Sequence, residues 1–90
     1  MSTILAIDYG LARIGLAISY VGLAEPLTII NNDVTSNEPI IGSQALAEIK
    51  QIVKAEKVDK IVLGISEQAM AKKILEFFEI LQSTLIWILF

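Results

Sequence analysis

The chain contains no cysteine and no histidine. Disulfide scaffolds, thiolate and imidazole metal sites, and nucleophilic triads that use histidine as base are therefore excluded. Any catalysis has to run on carboxylates, hydroxyls, lysines, Arg13 or a bound metal. Positive charge is scarce as well. Seven Lys and Arg stand against ten Asp and Glu, a formal charge of −3, so the basic surplus that usually accompanies nucleic-acid binding is missing. The last apolar run, Leu85-Ile86-Trp87-Ile88-Leu89-Phe90, is far shorter than the ~20 residues of a membrane helix. No Lys or Arg precedes Asp8, so the opening stretch does not read as a signal peptide, and a cytoplasmic protein without membrane contact is expected.

What is present is apolar. Hydrophobic residues make up 54% of the 90 positions and charged residues 19%, which excludes disorder and predicts one folded domain over residues 1–90. Thr3 to Asp8 and Ile14 to Tyr20 read as strands joined by a glycine-containing hairpin loop, Tyr9 to Arg13. Pro26 to Asn32 gives a third strand with Pro26 at its first position. The polar stretch Asn31 to Gly42 reads as a loop. From Ser43, Leu46, Ile49, Ile52 and Val53 recur at helical spacing to about Lys57. Lys60 to Ile65 has the continuous apolar pattern of a parallel strand covered on both faces. Ser66 suits the cap of a second helix whose buried stripe is Met70, Ile74, Phe77, Phe78 and Leu81, and Thr84 to Phe90 reads as a final strand. The class is α/β, in the order β-β-β-α-β-α-β. Ending on the most apolar strand, with nothing polar behind it to shield an edge, suggests that the C-terminal part of the domain is missing.

Asp8 is the residue that asks for a chemical account. It closes an otherwise apolar strand beside a glycine turn, where an acid suits a metal ion; it also suits turn formation, because Asp side chains bond the backbone two residues on. Gly10 lets backbone N–H groups approach a phosphate, and Arg13 can grip one bidentately, although an arginine in a turn is commonly just solvated. A crossover after the three-strand meander would set the Lys60–Ile65 strand parallel to the first, bringing Glu67 near Asp8 as a second metal ligand; the start of a helix, where an acid meets the positive end of the dipole, accounts for Glu67 fully and is the simpler reading.

The stretch Ile4-Leu5-Ala6-Ile7-Asp8-Tyr9-Gly10-Leu11-Ala12-Arg13-Ile14-Gly15-Leu16-Ala17-Ile18-Ser19 resembles the opening hairpin of the YqgF/RuvX family of RNase H-like nucleases, known as Holliday junction resolvase-like proteins or pre-16S rRNA nucleases. Glu25 to Ile29 and Lys60 to Gly64 resemble that family's third and fourth strands. The resemblance implies an RNase H-like fold with mixed sheet order 3-2-1-4-5. It also implies phosphodiester hydrolysis assisted by Mg²⁺ or Mn²⁺, with structured RNA or DNA as partner and Asp8 as the first metal-holding, catalytic acid. Two departures stand out. Tyr20 occupies a position where the family usually has an acid, and the family's later acids fall beyond Phe90. An inactive or incomplete nuclease is thus one expectation. Another is a non-catalytic module that binds a partner, or a second copy of itself, through the last strand. A nucleotide-binding domain of the actin/hexokinase type shares the Asp-and-hairpin opening but needs a second domain that 90 residues cannot hold.

Overall fold

The computed structural model of the chain describes residues 2–64 and 71–84. Four strands and two helices occur there: β1 (Ile4–Asp8), β2 (Arg13–Ser19), β3 (Ala24–Asn31), α1 (Ser43–Ala55), β4 (Lys60–Gly64) and α2 (Ala71–Thr84). The sheet order is β3-β2-β1-β4, with β4 parallel to β1 and the other pairs antiparallel. This is the expected 3-2-1-4 arrangement. The fifth strand, the Ser66 cap, Glu67 and Met70 lie outside the described residues, while Thr84, expected to open the fifth strand, ends α2 instead.

Strand alternation sorts the side chains to two faces. Leu5 and Ile7 of β1, Ile14, Leu16 and Ile18 of β2, Ile30 of β3 and Ile61 of β4 share one buried cluster with Ala45, Ile49 and Val53 of α1 and Ile74, Phe77 and Leu81 of α2. The helical residues recur at three- and four-residue spacing, so each helix lays one apolar stripe on the sheet. Fully burying a side chain such as Phe77, Leu5 or Ile49 contributes about 1.5–3 kcal/mol, and this face carries the stability of the fold. Phe78, expected in the buried stripe, is only half-buried.

Both helices pack against the same face. That corrects the expectation for β4: its alternate residues Lys60, Val62 and Gly64 are exposed, and no described element covers them. Ala6, Ala17, Leu27, Ile29 and Val62 line an open trough of about 660 Å³ on this second face. The third strand also differs, since it starts at Ala24 and carries Pro26 inside it. A bulge explains the tolerance: Leu16 pairs with Thr28 and Ala17 with Pro26, leaving Leu27 without a partner, on a strand that has no further described neighbour. Arg13 belongs to β2 rather than to the turn, and α1 stops at Ala55, two residues short of Lys57.

The register of β1 against β4 is pinned where both strands begin. Thr3 N–H donates to Asp59 Oδ2 (2.7 Å), and Asp59 N–H donates back to the Thr3 carbonyl (2.8 Å). Ile4 therefore faces Lys60, and four residues later Asp8 faces Gly64.

Candidate functional site

Asp8 ends β1 with Gly15 of β2 on one side and Gly64 of β4 on the other. Neither neighbour has a side chain, so the exposed carboxylate stands in a gap at the end of the open trough, reachable from solvent. A Cβ added at Gly15 would come within 3.8 Å of the Asp8 Cβ, and one at Gly64 within 3.7 Å of the Ile7 carbonyl, so both glycines leave room around the acid. Arg13 is exposed at the start of β2, on the same side of the strand as Gly15.

The turn after Asp8 is held from outside the hairpin. Gly10 is required there sterically, because a Cβ would meet the Arg13 carbonyl oxygen at 2.5 Å. The Gly10 carbonyl accepts a hydrogen bond from Asn32 Nδ2 (3.0 Å), and the same amide group donates to the Ile40 carbonyl (3.0 Å). Asn32 Oδ1 accepts from the N–H of Gly42, the N-cap of α1 (2.9 Å), while Asn32 N–H donates to the Ala12 carbonyl (2.9 Å). Tyr9, buried against Phe77 with ring centroids 4.8 Å apart, donates its hydroxyl to the same Ile40 carbonyl. Burial raises the Tyr9 phenol above its ordinary pKa, the Asn32 amide pulls it back, and Glu76 adds to the rise, so the hydroxyl keeps its proton and acts as a donor.

Asp8 thus sits at the expected place, and Gly10 and Arg13 flank the turn beside it. Glu67 lies outside the described residues. Among the described residues there is no group of three or more acids that could hold a metal ion. Sequence reasoning missed Asn32 and the Tyr9 latch. Asn32 lies in a run of polar residues that looks like solvated loop, and its burial arises only when the chain returns through Ile40 and Ile41. Tyr20, standing where an acid was expected, donates its hydroxyl to Glu56 Oε1 and ties the end of β2 to the C-cap of α1. That contact raises the Tyr20 phenol above its ordinary value.

Residues 2–87 match the family model RuvX, described as Holliday junction resolvase. A protein of Amoebophilus asiaticus (strain 5a2) named "Putative pre-16S rRNA nuclease" is 33% identical over 88 residues, an alignment covering 91% of this chain and 57% of the relative. The chain therefore spans little more than half the length of that relative. Among solved structures, Thermus thermophilus RuvC in complex with a Holliday junction substrate superposes with a TM-score of 0.59 at 14% identity, covering 96% of this chain and 59% of that one. An uncharacterized Pseudomonas aeruginosa protein with similarity to peptidase YeaZ superposes with a TM-score of 0.51 at 19% identity, covering 94% and 40%. At these identities the two structures establish the fold, which is the RNase H-like one expected.

Proposed function

The chain belongs to the RuvX family, described as Holliday junction resolvases, and from that premise we propose that it is a nuclease-type module acting on phosphodiester bonds of structured RNA, such as the 5′ end of pre-16S rRNA, or of branched DNA. In this reading Asp8 is the first of several carboxylates around a divalent cation, Mg²⁺ or Mn²⁺. The observation that carries it is the position of Asp8: exposed at the end of a central strand, between two glycines, at the mouth of an open face. Gly10 and Arg13 lie where a phosphate would approach, and a cytoplasmic location and a role in ribosome biogenesis follow from the same reading.

The described residues alone do not complete the metal site. A pair of divalent ions needs several anionic ligands for a defined geometry, and the described residues supply Asp8. Glu67 is a candidate for a further ligand. Cleavage by the 90-residue chain alone is accordingly expected to be slight or absent. Two measurements test this. Calorimetric titration with Mn²⁺ should give a heat that Asp8→Asn abolishes; equal heats for both proteins would remove the basis of the reading. Incubation of the chain with a four-way DNA junction and with a pre-16S rRNA fragment in Mg²⁺ should leave both largely intact. Vigorous cleavage that depends on Asp8 would show that the ligand set is complete after all.

A second reading, a non-catalytic module that binds another polypeptide, is favoured by the apolar face that no described element covers, where Ile29 is 71% and Val62 44% exposed. Association of two copies through the last strand belongs to this reading, and that strand lies outside the described residues. A chain that binds neither Mn²⁺ nor nucleic acid but self-associates would favour it.

A further inference from the structure

We infer that Asn32 is the positioning residue of the Asp8 site, fixing the backbone after the acid from the β3–α1 loop rather than from the hairpin. The inference rests on the reading of Asp8 given above. Tyr9 and Gly10 follow Asp8 directly, and each is tied to the same point: the Tyr9 hydroxyl and one Asn32 amide hydrogen share the Ile40 carbonyl, while the other amide hydrogen takes the Gly10 carbonyl. On the far side of the turn the Ala12 carbonyl accepts from the Asn32 N–H. One residue, 5% exposed, therefore grips both limbs of the loop that leaves Asp8, and its Oδ1 fastens that grip to the first residue of the α1 cap, Gly42.

The chemistry at position 32 asks for a primary amide. Two carbonyls, of Gly10 and Ile40, require two donors, and the Gly42 N–H requires one acceptor on the same short planar group. Those three partners also fix which way the amide points. An aspartate of the same shape keeps the bond from Gly42 but turns an acceptor toward two carbonyls. The hydrogen bonds of the turn would then be lost while the bulk of the side chain remained. Asn32 touches no reacting group; its effect on the site runs through the Asp8–Gly10 backbone.

The test compares Asn32→Asp with wild type by amide NMR, first without metal. Resonances of Asp8, Tyr9, Gly10 and Arg13 should shift and broaden, while those of Leu81 in α2 and Ile61 in β4 stay in place; unchanged signals from Asp8 to Arg13 overturn the inference. Mn²⁺ is then added as a paramagnetic probe. Wild type should show broadening centred on Asp8, Gly15 and Gly64, and Asn32→Asp should need about tenfold more Mn²⁺ for the same effect. Val53→Ala, a core truncation in α1, serves as the control for general loosening and should keep the wild-type Mn²⁺ response. An equal loss in Val53→Ala, or none in Asn32→Asp, reduces Asn32 to a structural residue. If Asn32→Asp does not fold, Asn32→Ser removes one donor without adding charge and should give the same pattern at smaller amplitude. Asp8→Asn is run in parallel: if it broadens as wild type does, the metal reading of Asp8 fails, and the metal-free shifts alone then decide the role of Asn32.

Discussion

The two faces of the sheet are made by the same strands from alternating residues, and they are filled in opposite ways. On the helix side the central strands present Leu5, Ile7, Ile14, Leu16 and Ile18, all nearly inaccessible to solvent. On the open side the same strands present Ala6, Asp8, Arg13, Gly15 and Ala17. Large residues on one side give the fold its cohesion; Ala6, Gly15 and Ala17 on the other lower the surface around the acid and leave it approachable. The comparison teaches that stability and access are separated by strand parity. A change of residue should cost much or little according to whether its position is odd or even in β1.

The largest contrast is expected between the faces themselves. Phe77→Ala, which empties the centre of the covered side, should lower unfolding free energy by about 3–5 kcal/mol. Ile29→Thr on the open side should change it by no more than about 0.5 kcal/mol. Urea denaturation of the two variants checks this, and comparable losses would mean that the open face is covered in solution.

Next in size is a contrast between two glycines at the site. Gly10→Ala drives a methyl into the Arg13 carbonyl and should cost about 1–3 kcal/mol, whereas Gly15→Ala makes an ordinary contact with Asp8 and should be close to neutral in stability. Paired thermal melts separate the two. If Gly15→Ala also depresses the Mn²⁺ response, the room beside Asp8 is itself part of the site.

Tyr9 gives a smaller, pH-dependent effect. Its folded phenol is raised chiefly by burial, so its stabilising share is complete below the unfolded value of about 10 and is lost as pH rises through the raised folded value. Melting temperature should therefore fall more steeply in wild type than in Tyr9→Phe between about pH 9 and pH 12. Tyr20 is also raised, by its bond to Glu56, but it is exposed, and Tyr20→Phe should retain most of the alkaline loss. The smallest expected change is a gain. Lys57 follows the α1 C-cap with φ 53°, a left-handed conformation, and Lys57→Gly should raise stability by about 1 kcal/mol in a denaturant titration.

Much of this architecture was legible in the residue order because period and turn chemistry are local. Leu5 and Ile7 alternating with Ala6 announce a half-buried strand, Ile49 and Val53 an amphipathic helix, and Asp8 before Gly10 a turn with an acid at its base. The reading failed where a property depends on residues far apart. Val62 lies in a run that looks buried on both sides, yet its exposure depends on where α2 comes to rest. Asn32 has nothing local to distinguish it from Asn31, and only the return of the chain at Ile40 makes it a buried hub.

By itself, the sequence determined that these 90 residues carry no histidine or cysteine, that a β-hairpin opens the domain, and that one acid stands at the end of the first strand. Tertiary structure decided that Gly15 and Gly64 flank that acid, that no described element covers one face of the sheet, and that Asn32 grips the turn. The physical reason is the range of the forces involved: hydrophobic periodicity and backbone preference act over a few residues, whereas strand register and the pairing of buried polar groups are settled only when segments distant in the chain pack together.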